Sequence, residues 1–466
     1  MSFLERLANK VTYRDVQFEM KDSGVEWIAQ IPKNWQVKRL KNLFSFGKGL
    51  PITKADLVEN GVAVISYGQI HAKSNTGTHL SKELLRFVPE IFLETNPSSL
   101  ISKHDIIFAD TSEDLDGLGN AALMDIDGKV FAGYHTIILH PIDTRFSKYL
   151  AYLFLTDAWR SQLRASASGI KVFSVTQKML RSCNVILPSP KECDIITSFL
   201  DTQCIKIDSI ISEAKASIEE YKSWKASIIY EAVTKGLNPD VKMKDSGIGS
   251  GIKWIGDIPN SWDVLKLKYV IAFIESGVSV NASQSAAGEG KIGVLKTSSV
   301  SKYSFRPEEN KEVNLDELGR VSCPVRANTI IVSRMNTPEL VGACGYVEQD
   351  YPNLFLPDRL WQVHFLNSVV VKYIWYYLSS NYIRNYYSSL SSGTSSSMQN
   401  ISKGQFENAR LLLPPPEVQR DIVEFLDKKC ATLDTLVAEK ESLIADLEAY
   451  KKSLIFEVVT GKRRVV

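Results

Sequence analysis

The chain carries its own plan twice. Residues 20–41 read MKDSGVEWIAQIPKNWQVKRLK, and residues 243–268 read MKDSGIGSGIKWIGDIPNSWDVLKLK. Trp27 matches Trp254, Pro32 matches Pro259 and Trp35 matches Trp262, all at an offset of 227. Four extra residues, Ile248 to Gly251, reduce the offset to 223 at MKDSG. A second marker returns after 226 residues: ILPSPKECDIITSFLDTQC from Ile186 against LLPPPEVQRDIVEFLDKKC from Leu412. Repetition at a fixed period makes the repeated unit the thing that folds. Between the markers the copies diverge, and only short pieces match, such as KYLAYLF at Lys148 against KYIWYYL at Lys372. Each copy is a similar frame around a dissimilar middle. The end of the first copy, EAVTKGLNPDVKMKDSG, also resembles the start of the chain, NKVTYRDVQFEMKDSG. The two units therefore look cyclically related, with the termini expected to meet in space.

Each second marker begins with prolines, which stop what precedes and let a helix start. Over residues 191–235 apolar positions recur at Leu200, Cys204, Ile207, Ile211, Ala214, Ile218, Tyr221, Ile228 and Ala232, broken once by Lys225. The second copy repeats the register at Leu426, Cys430, Leu433, Val437, Ile444, Leu447, Leu454 and Val458, with Lys440 and Lys451 as interruptions. Steps alternating between three and four are the heptad pattern. Each helix should run roughly 65 Å at about 1.5 Å per residue. A seam this narrow calls for a partner helix, and the other copy supplies one. The cyclic relation favours antiparallel pairing and a pseudo-twofold repeat. The alternative is that each helix packs only on its own domain.

The middles mix strand-like runs with helical stretches. VAVISY, DIIFA, ALMDI, KVFAG and TIILH are strand-like in the first copy, and NTIIVSR, CGYVEQ and RLWQVHF in the second. Asp127-Gly128 between two such runs predicts a hairpin turn. Helices are expected at 147–165 and 370–389. The layout is an arm and entry motif at 1–29, an α+β domain at 30–190, a long helix at 191–236, a linker and second entry motif at 237–257, a second α+β domain at 258–416, and a second long helix at 417–466. Trp27, Trp35, Trp254 and Trp262 recur at equal spacing, as core anchors of a shared scaffold would.

Composition excludes several classes. No apolar run reaches the roughly 18 residues of a membrane span, and the charged start lacks a signal peptide's apolar stretch, so a cytoplasmic protein is expected. The six cysteines form no CxxC pair, which argues against a zinc ribbon or redox motif. Net charge is only +2, so charge alone does not point to nucleic acid. GxxxxGK[ST] and HExxH are absent, no GxSxG sits on a plausible elbow, and the six histidines have no metal spacing. The acidic run Thr111 to Gly117 lacks the alternation of a calcium loop and reads as a solvated turn. Glu213-x-Lys215 and Glu220-x-Lys222 lie on the heptad helix, where surface salt bridges are the simpler account. No catalytic or metal site is expected.

The entry motif KDSGVEWIAQIPKNWQVKRL, the Ser168-Gly169 and Ser392-Gly393 loops, the LPxP junction with its FLD helix, and the duplication together resemble the specificity subunits of type I restriction-modification systems. The likeness covers nearly the whole chain. One departure is PKECDIIT, where the second copy has PEVQRDIV. The resemblance implies an α+β fold: two mixed α/β target recognition domains joined by two long helices in an antiparallel coiled coil. It implies a non-catalytic subunit of a multisubunit DNA adenine methyltransferase and type I site-specific deoxyribonuclease. Each recognition domain would read one half of a split double-stranded DNA site. The helices would space the halves and dock two methyltransferase and two translocase-nuclease subunits. No cofactor is implied for this chain; S-adenosylmethionine, ATP and magnesium belong to the partners. Two other readings stay open: a coiled-coil scaffold whose domains bind proteins or peptides, and a self-contained nuclease or methyltransferase, against which the missing motifs argue.

Loop residues with basic, amide, hydroxyl or aromatic side chains are the DNA-binding candidates, because base edges and phosphates are read by such groups. In the first domain they are Lys48, Lys54, Tyr67, Gln69, His71, Lys73 and Lys171. In the second they are Lys296, Ser298, Lys302, Arg334, Asn336 and Ser395. The coiled-coil and partner interface is expected at Ile207, Ile211, Ile218, Ile228, Leu433, Val437, Ile444, Leu447 and Leu454.

Overall fold

A computed structural model describes residues 19–167, 172–245, 256–395 and 398–465. The chain divides into two compact units: Met1–Ala214 with Ser442–Val466, and Lys215–Glu441. The division falls inside the long helices, not at their ends.

In unit 1 the main sheets of the middle are built from eight strands: β1 (Phe44–Lys48), β2 (Val62–Ile65), β3 (Arg86–Val88), β4 (Leu100–Ile101), β5 (Ile106–Ala109), β6 (Ala121–Leu123), β7 (Val130–Ala132) and β8 (Thr136–Pro141). They make two four-stranded sheets, β6-β5-β8-β1 and β3-β2-β7-β4. Only β2 and β7 pair in parallel. In unit 2 the main-sheet strands are β9 (Ile271–Ser276), β10 (Gly293–Leu295), β11 (Asn310–Glu312), β12 (Pro324–Val325), β13 (Thr329–Ser333), β14 (Cys344–Val347), β15 (Tyr351–Phe355) and β16 (Leu360–Phe365). Their sheets are β14-β13-β16-β9 and β11-β10-β15-β12, again with one parallel pair, β10 and β15. Strand for strand, the two unlike middles share one topology.

The central strands explain why apolar runs stand where alternation might be expected. Ile106 and Phe108 of β5 face a core shared with helices, whereas Ile107 and Ala109 face the second sheet. Ile330 and Val332 of β13 do the same on one side, and Ile331 on the other. A strand covered on both faces needs no polar residue.

The Asp127-Gly128 turn does not make a hairpin. β6 before it belongs to the first sheet and β7 after it to the second. Gly128 takes φ 128°, a conformation that lets the chain cross between layers instead of doubling back. The helical stretches each resolve into two helices: α1 (Ser147–Phe154) and α2 (Asp157–Ser166), then, after the long α3 (Pro190–Lys235), α4 (Val371–Ser379) and α5 (Asn381–Leu390). Thr156 starts α2 by accepting the Trp159 N–H at its hydroxyl.

The frame closes each unit. Gln36–Arg39 pairs with Asn184–Leu187, and Asp263–Lys266 with Arg410–Leu413, so the two markers of each copy meet as one ladder. Trp35 and Trp262 are buried; Trp254 and the Ser168-Gly169 loop lie outside the described residues. Gly236 ends α3 at φ 79° against the Trp262 ring, and Gly461 follows α6 (Pro416–Val459) at φ 71° against Pro32 and Trp35. Each entry motif thus receives the end of the helix that belongs, in sequence, to the other copy. Here the cyclic relation read from the sequence has its physical form.

The long helices pair antiparallel within each unit. In unit 1, Ile207 and Ile211 of α3 share a core with Leu447, Leu454 and Val458 of α6, and Asp208 binds Lys451 at 2.7 Å. In unit 2, Ala232 and Val233 share a core with Ile422, Leu426 and Cys430, and Lys225 binds Asp434 at 2.7 Å. Ile207, Ile211, Ile218, Leu433, Leu447 and Leu454 are buried, and Ile228, Val437 and Ile444 half-buried. All six cysteines are buried thiols, with Cys183 and Cys344 pushed by burial up to about 12.

Candidate nucleic-acid interface

The loops at one end of the paired sheets gather the polar chemistry of unit 1. After β2, Ser66 caps a short helical turn, Tyr67–Ile70, in a capping box whose Gln69 carboxamide accepts the Ser66 N–H at 3.1 Å. Gln69 is therefore partly spent on its own turn. Tyr67 sits edge-on to Tyr134 and His135, both with centroids 5.4 Å away, and to His71 at 6.2 Å. His71 is braced: its Nε2 lies 2.7 Å from the Thr111 carbonyl and its Nδ1 3.0 Å from the Asn120 amide. With the amide donating, Nε2 carries the proton and donates to Thr111. The Gly133–His135 loop lies so close to Gly49 that a Cβ there would stand 1.9 Å from the Gly133 carbonyl oxygen. His135 takes φ 56° and holds Asp110 at 3.1 Å. Lys48 ends β1 exposed, its partner Ile137 two residues beyond His135. Lys54 and Lys73 are exposed on turns with no partner of their own among the described residues, and Lys171 lies outside those residues.

Unit 2 arranges other residues at the matching places. Ser298 donates to Glu309 at 2.6 Å, with Arg306 3.5 Å and Lys296 3.8 Å from the same carboxylate. The Ser298 hydroxyl first, then the two cations, hold Glu309 below the usual carboxylate range. Lys296 and Ser298 are thus tied to one acid, while Lys302 is exposed. Arg334 Nε donates to the Asp358 carbonyl at 2.7 Å. Asn336 donates to Ser333 at 3.3 Å and accepts the Thr337 N–H at 2.9 Å. Ser395 ends a strand, Ser392–Ser395, of a three-stranded ribbon with Met398–Asn400 and Met335–Asn336. Unit 1 has the shorter counterpart, Thr111–Ser112 with Phe173–Ser174.

The backbone shows which positions correspond. Thr136 opposes Ala109 as Leu360 opposes Ser333, an offset of 224. The next residues, Asp110 and Arg334, make the same bonds. Each donates its N–H to the last residue of the loop before β8 or β16: Asp110 to the His135 carbonyl at 3.0 Å, Arg334 to the Arg359 carbonyl at 3.1 Å. Each accepts at its carbonyl from the residue just past a ribbon strand: Val175 N–H to Asp110 at 2.8 Å, Ile401 N–H to Arg334 at 3.0 Å. One structural position holds an acid in one unit and a base in the other. Sequence reasoning named Arg334 but missed Asp110, Tyr134 and His135. The signal was present: Asp110 follows DIIFA as Arg334 follows IIVS.

A family model for the type I restriction modification DNA specificity domain matches twice, at residues 32–220 and 259–444, together well over half of the chain. The chain belongs to that family. It is a type I restriction-modification DNA specificity subunit with two specificity domains. The Escherichia coli K12 EcoKI specificity subunit is 21% identical over 440 residues, covering 93% of this chain and 90% of that one. The Methanocaldococcus jannaschii MjaVIII specificity subunit is 25% identical over 454 residues, covering 94% of each. A solved chain described under complex assembly and conformational transition of the type I R-M system superposes with a TM-score of 0.65 at 18% identity, over 92% of this chain and 99% of that one. The last likeness supports the fold. Both matched segments of the subunit run from the entry strand into a long helix, so the family unit includes frame as well as middle. No described helix is long and apolar enough to cross a membrane, and the described residues hold no cluster of three or more metal-ligating side chains.

Proposed function

We propose that each sheet pair reads one half of a split double-stranded DNA site, and that α3 and α6 hold the two readers apart and dock the other subunits. The supporting observation is that one strand topology occurs twice while the loop chemistry at its end differs, down to opposite charge at one backbone position. A common scaffold with unlike loops is what two readers of unlike sequences require, since backbone contacts position and base-edge contacts specify. The chain itself would be non-catalytic. Two methyltransferase subunits would bring S-adenosylmethionine and methylate adenine, and two translocase-nuclease subunits would use ATP and magnesium.

Mapping methylated adenines in the genome of cells that carry this chain and its partners tests the reading. Replacing residues 258–413 with the middle of another family member should change one half of the methylated motif and leave the other intact. Change in both halves would show joint reading. Methyl transfer by the purified chain alone, given S-adenosylmethionine and unmodified DNA, would defeat the non-catalytic role.

A further inference from the structure

The equivalence of Asp110 and Arg334 carries an inference about which base each domain reads; it rests on the proposed reading of DNA by the two sheet ends. We propose that this shared position contacts a base edge in both domains, Arg334 reading a guanine and Asp110 a cytosine.

Four observations converge. Both residues are locked through their own N–H and carbonyl groups between the loop before β8 or β16 and the residue just past a ribbon strand, so the side chain starts from a fixed point. Both follow the central strand of the first sheet and open the ribbon that continues past it, Thr111–Ser112 with Phe173–Ser174 or Met335–Asn336 with Met398–Asn400. The unit 1 pair is a two-stranded ribbon, one of the shapes the major groove admits, and in unit 2 a third strand, Ser392–Ser395, extends the corresponding pair. Both side chains are about one third exposed or less, 32% for Asp110 and 27% for Arg334, so they are seated yet reachable.

The fourth observation is how each is oriented. Arg334 Nε is fixed on the Asp358 carbonyl at 2.7 Å, and the Asp358 carboxylate approaches Nη2 only to 4.0 Å. The guanidinium is therefore held at Nε while its end is not consumed. Two parallel N–H groups match the O6 and N7 acceptors of guanine, the commonest specific contact in the major groove. Asp110 has one oxygen on His135 at 3.1 Å, and the other has no partner among the described residues. A carboxylate oxygen can accept from the cytosine 4-amino group and would repel the acceptors of guanine. The same place thus accepts opposite bases in the two halves.

The test uses the full chain with its own partner subunits, and reads the methylated motif. The R334A change should relax one guanine in one half while every other position holds, with roughly ten- to hundredfold discrimination lost there. The R334Q change should shift that position toward adenine, since an amide pairs with the adenine edge. The D110A change should relax one cytosine in the other half. If R334A and R334Q both abolish methylation, or both leave the motif unaltered, the proposal is overturned. Relaxation in one half alone overturns the shared position. A native motif whose half read by unit 2 holds only A·T pairs overturns it before any variant is made. Failure of the underlying reading looks different: the native chain would then direct no split methylated motif at all.

Discussion

Contacts between the two motifs explain why KYxxY and FLD recur. Tyr152 donates to Asp201 at 2.7 Å while Lys148 binds the other oxygen at 2.6 Å; Tyr376 and Lys372 hold Asp427 at 2.7 and 3.0 Å. Each clamp fastens a helix of the middle to the start of a long helix. Tyr376→Phe deletes a hydrogen bond to a charged acceptor and should lower stability by about 1.5–3 kcal/mol. Thermal unfolding of the full chain checks it, and an unchanged midpoint would mean that Lys372 alone suffices. His140 supplies a pH effect. Its hydrogen bond to the buried Asp105, at 2.8 Å, raises its pKa above 6.5. A raised histidine stabilises the fold fully below the unfolded value and loses that contribution as pH rises through the folded one. Stability of unit 1 should therefore decline as pH rises above 6.5, and His140→Gln should flatten that slope. Candidates were legible in sequence where side-chain type alone nominates them, as with Arg334. They were hidden where a role comes from juxtaposition: Gln69 is bound to its own cap, and Asp110 gains meaning only beside Arg334.

Among the elements, the long helices were the most legible, because a heptad seam is a local pattern. Two of its three interruptions are contacts. Lys225 and Lys451 meet Asp434 and Asp208, two ion pairs related by the 226-residue repeat. Both pairs are partly exposed, so each contributes roughly 1 kcal/mol or less. Their value lies in register, since a slipped pairing would face lysine with apolar residues. Lys451→Asp should destabilise unit 1 by about 1 kcal/mol, and adding Asp208→Lys should recover most of it; recovery failing would show that the pair is incidental. Ile218→Asp is the severe case. Ile218 is buried, and an unpaired carboxylate there should cost several kcal/mol and abolish assembly with the methyltransferase. A normal complex would mean that this part of α3 opens freely. Strands were found as apolar runs because both faces are covered, but which sheet each joins was not. Asp127-Gly128 looks like a hairpin turn, and only pairing across distant sequence reveals that β7 lies beside β2.

At the scale of the molecule, the unit boundary decides how a spacer could be lengthened. Both α3 and α6 pass from one unit to the other, at Ala214–Lys215 and Glu441–Ser442. An insertion near Val233 would not lengthen the spacer: Ala232 and Val233 sit in the core of unit 2, and Gly236 abuts Trp262. The extra residues must enter both helices at the boundary, or one helix would be dragged out of register with the other. Four helix-forming residues in each add about 6 Å of rise and turn the chain by about 400°, a net rotation of roughly 40°. Such an insertion is a stutter that a coiled coil absorbs by local unwinding. At about 3.4 Å per base pair the gap should grow by about two base pairs. Two residues in each helix would turn it by about 200° and place one reader on the wrong face of the duplex. The four-residue variant should therefore keep both half-site sequences and widen the unread gap, whereas the two-residue variant should lose methylation. An active four-residue variant with an unaltered gap would show that the helices do not set the spacing, and would move the ruler to residues 237–257.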